Sequence, residues 1–514
     1  MILLPLAGIA ISFVLYRLVY DGAPEGIPRV GSTGGIGYLI AALRFAMKSH
    51  QVLDEADEMF GGRTYAMPTF SGWIIVLSRD HIETIRTSDD SVFNQPLHVY
   101  ESLQFGHTLN LKQSETQYQA TLPDIVLLLN KLSRRMSDFI PHMLDEATLA
   151  MEETFKPPSG SEYISLPVAD IMTRMMARVH NRALLGTAMC RNEPFVRAVV
   201  NFSHGVGVHS RLLIWIPDFL GLRSLVYFVL SSIWGGSKHP KALLKPYLTS
   251  LKGHAESGDQ SPTIARFLSN NAPPEWGEDV DDLAMTILKF NFGGIFTIST
   301  SLIQTLFEVA QMSIGDVDSM REEVMYALEQ EGGWNKRALD RFWKIDSLLR
   351  EVGRMHGMSL LALARVTIAN GRLPDGVVIP SGYQVAVNLK HFHRDPHVYP
   401  NPHVFDPFRF STLRENETED TGSKDSNMKH GFTTVDNHYF NFGVGRHVCA
   451  GKSFASMELK IMIAVLLLNY EVKLPDGKLN RPKSLVLDAI VLPPLKEQLL
   501  FKPRLRKTKG GLVI

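Results

Sequence analysis

The sequence is poor in cysteine: Cys190 and Cys449 are the only two in 514 residues. So few exclude a disulfide framework and fit a reducing compartment. An excess of charge is lacking too, since 53 lysines and arginines offset 53 aspartates and glutamates. That balance leaves no electrostatic footprint for nucleic acid, so none is expected as a partner. No flavin or nicotinamide fingerprint is present, and no internal repeat. With 45% apolar and 21% charged residues, what remains is the composition of an ordinary globular protein with a large core.

Long apolar runs are rare, and the exception is at the N-terminus. Residues 1–14 are apolar or small, and the apolar character continues to Tyr20 with only Arg17 inside it. That is close to the roughly 20 residues needed to cross a bilayer core. No basic residue precedes the run and no small-x-small cleavage site follows it, which favours a retained anchor over a removed signal. Cations after it (Arg17, Arg29, Arg44, Lys48) place the body on the cytoplasmic side. The expected organisation is an anchor at 1–20, a Pro/Gly linker at 21–34 and one further domain at 35–514.

Within that domain, apolar spacing predicts helices at 36–59, 79–88, 122–155, 169–184, 193–206, 279–311 and 335–352, with Pro141 marking a break or a start. Residues 73–78 read as a strand, and 377–387 as strand, turn, strand. The apolar stretch 210–234 reads as a core helix pair or as an apolar lip against a membrane. Residues 415–427 are polar and acidic, a surface loop. Cys190 is expected as a small core residue. The fold class is mainly α with small β-sheets.

Chemistry concentrates at 440–451, Phe-Asn-Phe-Gly-Val-Gly-Arg-His-Val-Cys-Ala-Gly. Glycines at 443, 445 and 451 permit tight turns, and a helical pattern follows at 452–470. A thiolate there gains from the positive end of the helix and could ligate a metal, although a buried structural cysteine fits the same spacing.

Phe442-x-x-Gly445-x-His447-x-Cys449-x-Gly451 resembles the haem-binding signature of the cytochrome P-450 family of haem-thiolate monooxygenases. Two further elements stand in the order that family has. Glu351-x-x-Arg354 puts both side chains on one helix face. Residues 405–410, Phe-Asp-Pro-Phe-Arg-Phe, resemble the Pro-Glu-Arg-Phe element with Phe408 in place of the acid. Details near 73–80 and 186–193 resemble fungal secondary-metabolism members.

The resemblance implies the cytochrome P-450 fold, with haem b held between the long central helix and the cysteine loop with its following helix. Cys449 would be the axial thiolate, Gly445 and Gly451 would let the backbone approach the sulfur, and Phe442 would pack beside it. His447 and Arg365 would face the propionates. Glu351, Arg354 and Arg409 would form a buried ion network. In the central helix the chain reads Gly293-Gly-Ile-Phe-Thr297. Thr297 would steer protons as the catalytic residue, but Phe296 replaces the usual acid, leaving water, Ser299 or a substrate hydroxyl as substitutes. No Trp-x-x-x-Arg motif is found between 118 and 139, so no haem contact is expected there.

The activity so implied is membrane-anchored hydroxylation or oxidation of a lipophilic secondary metabolite, of terpenoid type. It would use O2 and electrons from NADPH–cytochrome P-450 reductase, with cytochrome b5 as an additional donor, at the endoplasmic reticulum. Lys131, Arg134, Arg135, Arg446 and Lys452 are expected to form the docking surface. The expected pocket walls are 290–297, 360–363 and 103–111. A haem-thiolate isomerase, dehydratase or peroxygenase needing no reductase, and a non-catalytic haem sensor, are the alternatives.

Overall fold

A computed structural model of the chain describes residues 22–31, 35–109, 131–132, 134–216, 221–253, 262–271, 279–421, 429–478 and 480–504. The expected anchor at 1–20 lies outside these residues, as do residues 21 and 32–34 of the expected linker. So does the stretch 118–130, where the propionate motif was sought.

The helix expected at 36–59 is α1 (Gly35–Phe60), bent at Lys48, where φ is −137° and ψ 36°. Its inner face (Tyr38, Ala42, Phe45, Val52, Leu53, Ala56) is buried, while Ile36, Ile40, Leu43 and Met47 form an exposed apolar stripe. Strands β1 (Tyr65–Thr69) and β2 (Gly72–Leu77) follow, then α2 (Ile82–Thr87), β3 (Phe93–Asn94) and α3 (Gln95–Ser102).

Of the long helix expected at 122–155, the described part breaks into a tight turn at Met136–Phe139 and α4 (Ile140–Thr154). Pro141 sits in the first turn of α4, where its missing N–H costs nothing. Helices α5 (Val168–Leu185) and α6 (Glu193–Ile214) agree with their expected positions, α6 running further. In α7 (Leu222–Trp234), Leu225, Phe228 and Ile233 are about three-fifths exposed, so this segment is an apolar lip and not a core element.

The central helix α8 (Val280–Val309) passes a length-and-hydropathy test for a membrane span, yet 72% of its most apolar window is buried inside the protein. It is the core helix around which α5, α6 and α9 (Trp343–His356) pack. Strands β4 (Leu361–Thr367) and β5 (Gln384–Asn388) complete a five-stranded sheet of order β1-β2-β5-β4-β3. The register of β4 on β5 shifts between Ala362 and Arg365, a bulge that holds Leu363 at φ 53°.

The surface loop expected at 415–427 is a correction in part. Residues up to Thr421 belong to α10 (Arg409–Thr421), whose Leu, Arg and Glu residues favour helix while its polar faces keep it at the surface. After it come α11 (Lys452–Asn469), almost wholly buried, and the hairpin β6 (Leu485–Leu487) and β7 (Ile490–Leu492). The core joins α4, α5, α6, α8, α9 and α11 in one apolar cluster.

Candidate active site

The cysteine loop is built by its glycines. Gly443 and Gly445 sit at φ 73° and 71°, the left-handed region that a side chain disfavours. A Cβ on Gly445 would lie 2.7 Å from the carbonyl oxygen of Arg86, so the loop also presses against the end of α2. The amide of Cys449 donates to the carbonyl of Phe442 at 2.8 Å, closing the loop, and the Phe442 ring meets Phe432 edge-on at 5.0 Å.

The sulfur lies just before α11, with the amides of Gly451 and Lys452 directed at it. Packing around the thiol raises its pKa above the ordinary value, against the smaller opposing pull of those two amides and the Lys452 ammonium. Its surface is nonetheless exposed. Cys190 is different: it is buried, and burial first, with Glu146 second, raises its thiol to about 12. Of the two cysteines only Cys449 is exposed and has backbone amides directed at its sulfur, the arrangement that a metal-ligating thiolate would use.

Beside the loop lie Arg365 and His447. Arg365, 5% exposed, donates to the carbonyl of Ala364 at 2.8 Å and has no carboxylate within ion-pair distance among the described residues. Burial lowers its pKa to about 10. His447 Nε2 meets Asp90 Oδ1 at 2.8 Å, and burial followed by Arg365 pushes its imidazole below the ordinary value. A buried guanidinium without a carboxylate calls for an anion from outside the chain. The accessible Cys449 sulfur, the amides behind it, and Arg365 beside it thus form a donor set that fits a metal-bearing group with acidic substituents, as haem b is.

In α8 the backbone widens into a single turn of π-helix at Phe292–Phe296. Such bulges mark functional sites in helices. Thr297 Oγ1 donates to the carbonyl of Gly293 at 2.6 Å, and Ser299 Oγ to that of Phe296 at 3.3 Å, so both hydroxyl protons are held by the helix itself. Phe296 turns toward α6, 6.2 Å edge-on to His204, with its ring 3.7 Å from where a Cβ of Gly207 would be. Behind the bulge, the His180 ring of α5 takes the place of a Gly294 side chain: a Cβ there would lie 2.2 Å from it. His180 Nδ1 meets the buried Glu458 of α11 at 3.1 Å.

The ion network expected behind the loop is present. Arg354 donates twice to Glu351 at 2.7 Å, and also to the carbonyls of His393 and Pro402. Arg409 Nε stands 3.3 Å from the same carboxylate, and the amide of Asp406 donates to it at 3.0 Å. Phe408, at the acid position of that element, lies under the Lys344 ammonium.

A cavity of about 1050 Å³ opens between α3, the end of α6, β4, β5 and the β6–β7 hairpin. Of the expected walls, Leu361 and, from 103–111, Gln104, Gly106 and His107 line it, whereas 290–297 do not. Sequence reading missed its charged members. Arg211 Nη1 meets Asp488 Oδ2 at 3.5 Å, and Arg211 Nε and His98 Nδ1 have no hydrogen-bond partner among the described residues. Burial lowers the pKa of Arg211 and raises that of Asp488. On the outer surface, Lys131, Arg134 and Arg135 are exposed. Lys452 is instead bound to the carbonyl of Thr433, and Arg446 to Asp89 and Ser88, so these two are tied into the fold.

Fold and site together define a haem-thiolate type of enzyme. Residues 36–501 match the family described as "Cytochrome P450", and the chain belongs to that family: it is a cytochrome P450 monooxygenase, an oxidoreductase. It is 29% identical to cytochrome P450 monooxygenase 103 of Postia placenta, over 93% of each chain. It is 26% identical to cytochrome P450 monooxygenase CYP512U6 of Ganoderma lucidum (95% of this chain, 94% of that one). To cytochrome P450 monooxygenase paxQ of Penicillium paxilli it is also 26% identical (93% and 92%). Among solved structures it is similar in fold to the cytochrome P450DA heme domain. The TM-score is 0.68 at 18% identity, over 93% of this chain and 98% of that one.

Proposed function

We propose that the protein is a membrane-anchored monooxygenase that hydroxylates or oxidises a lipophilic secondary metabolite of terpenoid type. In this reading Cys449 is the thiolate ligand of haem iron. The observation that carries it is the accessible Cys449 sulfur with two amides and a helix N-terminus behind it. Haem so bound supplies oxygen activation, given O2 and electrons from NADPH–cytochrome P-450 reductase or cytochrome b5.

The chain's own residues hold and tune the site. The Gly451 and Lys452 amides hold negative charge on the sulfur, and Phe442 shields it beside the core. Arg365 and His447 face the acidic substituents, with Asp90 fixing the His447 ring. The Thr297 hydroxyl donates its hydrogen bond to the Gly293 carbonyl, so its oxygen is left as an acceptor. With Phe296 turned toward α6, that acceptor can hold a water as proton donor, in place of an acidic side chain.

The cavity supports an already oxygenated substrate. Arg211 can donate to a hydroxyl or carbonyl oxygen while Asp488 accepts from a hydroxyl, inside walls that mix apolar side chains such as Phe70, Ile74 and Leu361 with polar ones such as Gln104 and Gln384. The exposed stripes of α1 and α7 support contact with a membrane, in keeping with an anchor at 1–20 and a location at the endoplasmic reticulum. Exposed Lys131, Arg134 and Arg135 support the docking of an acidic redox partner. The test is turnover of oxygenated terpenoids by the haem-loaded protein with reductase, NADPH and O2, compared with peroxide alone. Product formed only in the reductase arm supports the proposal; turnover independent of the reductase overturns it.

A further inference from the structure

The accessible side of the central helix α8 is a single stripe. Asp282, Thr286, Lys289, Gly293 and Thr297 keep accessible surface, while Leu283, Ile287, Asn291, Gly294 and Ile298 on the other side are buried. Spacings of three and four residues put the first set on one face. A Cβ on Gly293 would meet no atom within 4 Å, so that face fronts open space. Aromatic rings from other elements stand beside it: Phe105 is edge-on to Phe292 at 6.3 Å, and His204 of α6 is edge-on to Phe296 at 6.2 Å.

Lys289 is the cation of this stripe. It has no hydrogen bond, and no carboxylate within ion-pair distance, among the described residues. Burial, foremost, lowers its pKa, and Asp282, two turns back, opposes that from beyond ion-pair distance. Other cations in the core are answered by the fold. Lys460 meets Asp346 at 2.9 Å and donates to the Leu339 carbonyl at 2.9 Å, and Arg321 donates to the carbonyls of Leu467 and Tyr470. An ammonium left without such a partner, in surroundings that disfavour charge, carries a cost that an anion from outside the chain removes. An aliphatic side chain at this place in an apolar helix would avoid that cost altogether.

We propose that Lys289 is a specificity residue, selecting a lipophilic substrate that carries a carboxylate and holding that group by a charge-assisted hydrogen bond. With haem across from Gly293 and Thr297, the reading on which this proposal rests, those two residues stand one and two turns from Lys289. That is about 6 and 12 Å along the helix at 1.5 Å per residue. The carboxylate is therefore held away from the reacting carbon, and oxidation falls on the skeleton remote from the acid. A lysine ammonium is a compact point charge and matches one carboxylate. A phosphate or diphosphate asks for more donors, and Asp282 on the same stripe repels the added negative charge. Lys289 is not in the lining of the cavity that holds Arg211 and Asp488, so its effect is read separately from theirs.

The experiment measures binding of abietic, oleanolic and dodecanoic acids, each against its methyl ester, to the full-length haem-loaded protein. Binding is read twice, by the shift of the Soret band and by equilibrium dialysis, in the wild type, Lys289→Met and Lys289→Arg. Lys289 has no partner to lose, so methionine removes the charge at similar length without orphaning another group. The ratio of acid to ester affinity is expected to fall at least about tenfold in Lys289→Met, the loss of one charge-assisted hydrogen bond, and to be kept in Lys289→Arg. A purely structural role would weaken acid and ester alike. A ratio equal in wild type and Lys289→Met, or failure of all three acids to bind in dialysis, overturns the proposal. A ratio that falls in dialysis with no Soret shift from any acid supports the acid site and refutes instead the placement of haem opposite Gly293.

Discussion

Replacing Gly294 by alanine probes the bulge of the central helix directly. The new Cβ would lie 2.2 Å from His180 Cε1 and 2.7 Å from both ring nitrogens, far inside van der Waals contact. The ring has little freedom to retreat. Its Nδ1 is held by Glu458 at 3.1 Å, Phe454 packs edge-on at 5.8 Å, and the residue is 4% exposed. Overpacking of this kind costs about 1–3 kcal/mol. In a His180→Ser background the obstacle is gone, and alanine should gain up to about 1 kcal/mol over glycine by helix propensity. The two effects have opposite sign, so the coupling between the positions is about 2–4 kcal/mol. Equilibrium urea unfolding of the haem-loaded protein by circular dichroism, for both single variants and the double variant, measures it. Destabilisation by Gly294→Ala of equal size in both backgrounds would falsify the claim that His180 dictates this glycine.

Other expectations are simpler. Arg211→Leu should weaken the spectral binding of an oxygenated terpenoid about tenfold and leave its deoxy parent unchanged; equal losses for both would remove the role given to Arg211. Glu323 has its pKa raised from 4.5 to about 7, by burial foremost. Its folded form therefore keeps a proton that the unfolded chain releases. The stability so contributed is complete below pH 4.5 and lost as pH rises toward 7, and Glu323→Gln should lack that decline in pH-dependent unfolding. Glu351→Gln leaves Arg354 and Arg409 facing a neutral amide in a site with no exposure. It should cost about 3–5 kcal/mol, read as a fall in the unfolding midpoint. Ile40→Asp with Phe228→Asp should lower partition onto phosphatidylcholine vesicles at least tenfold, since burying each apolar side chain contributes about 1.5–3 kcal/mol. Unchanged partition would remove both stripes from the membrane contact.

What could be read in the sequence was chemistry carried by contiguous residues. The Cys449 loop and the Glu351/Arg354 pair are local, with glycines and helical spacing that state their own geometry. The substitution of Phe296 was legible for the same reason, although its turn toward His204 was not. Pairs made by packing were invisible. His180 and Glu458 are 278 positions apart, and Arg211 and Asp488 are 277 apart. No periodicity brings such residues together; only the tertiary fold does so. The same limit explains the docking cations: Lys452 and Arg446 look free in sequence, but the fold supplies Thr433, Asp89 and Ser88 as partners. The acidic stretch after 415 misled because polar composition says surface, not loop, and a surface helix meets it as well.

The central claim is the Cys449 thiolate, and the carbon monoxide difference spectrum of the reduced protein tests it most directly. The account predicts the red-shifted Soret band of a thiolate-ligated haem in the wild type, and its loss in Cys449→Ala while the Cys190→Ala protein keeps it. A red-shifted band that persists in Cys449→Ala would contradict the account.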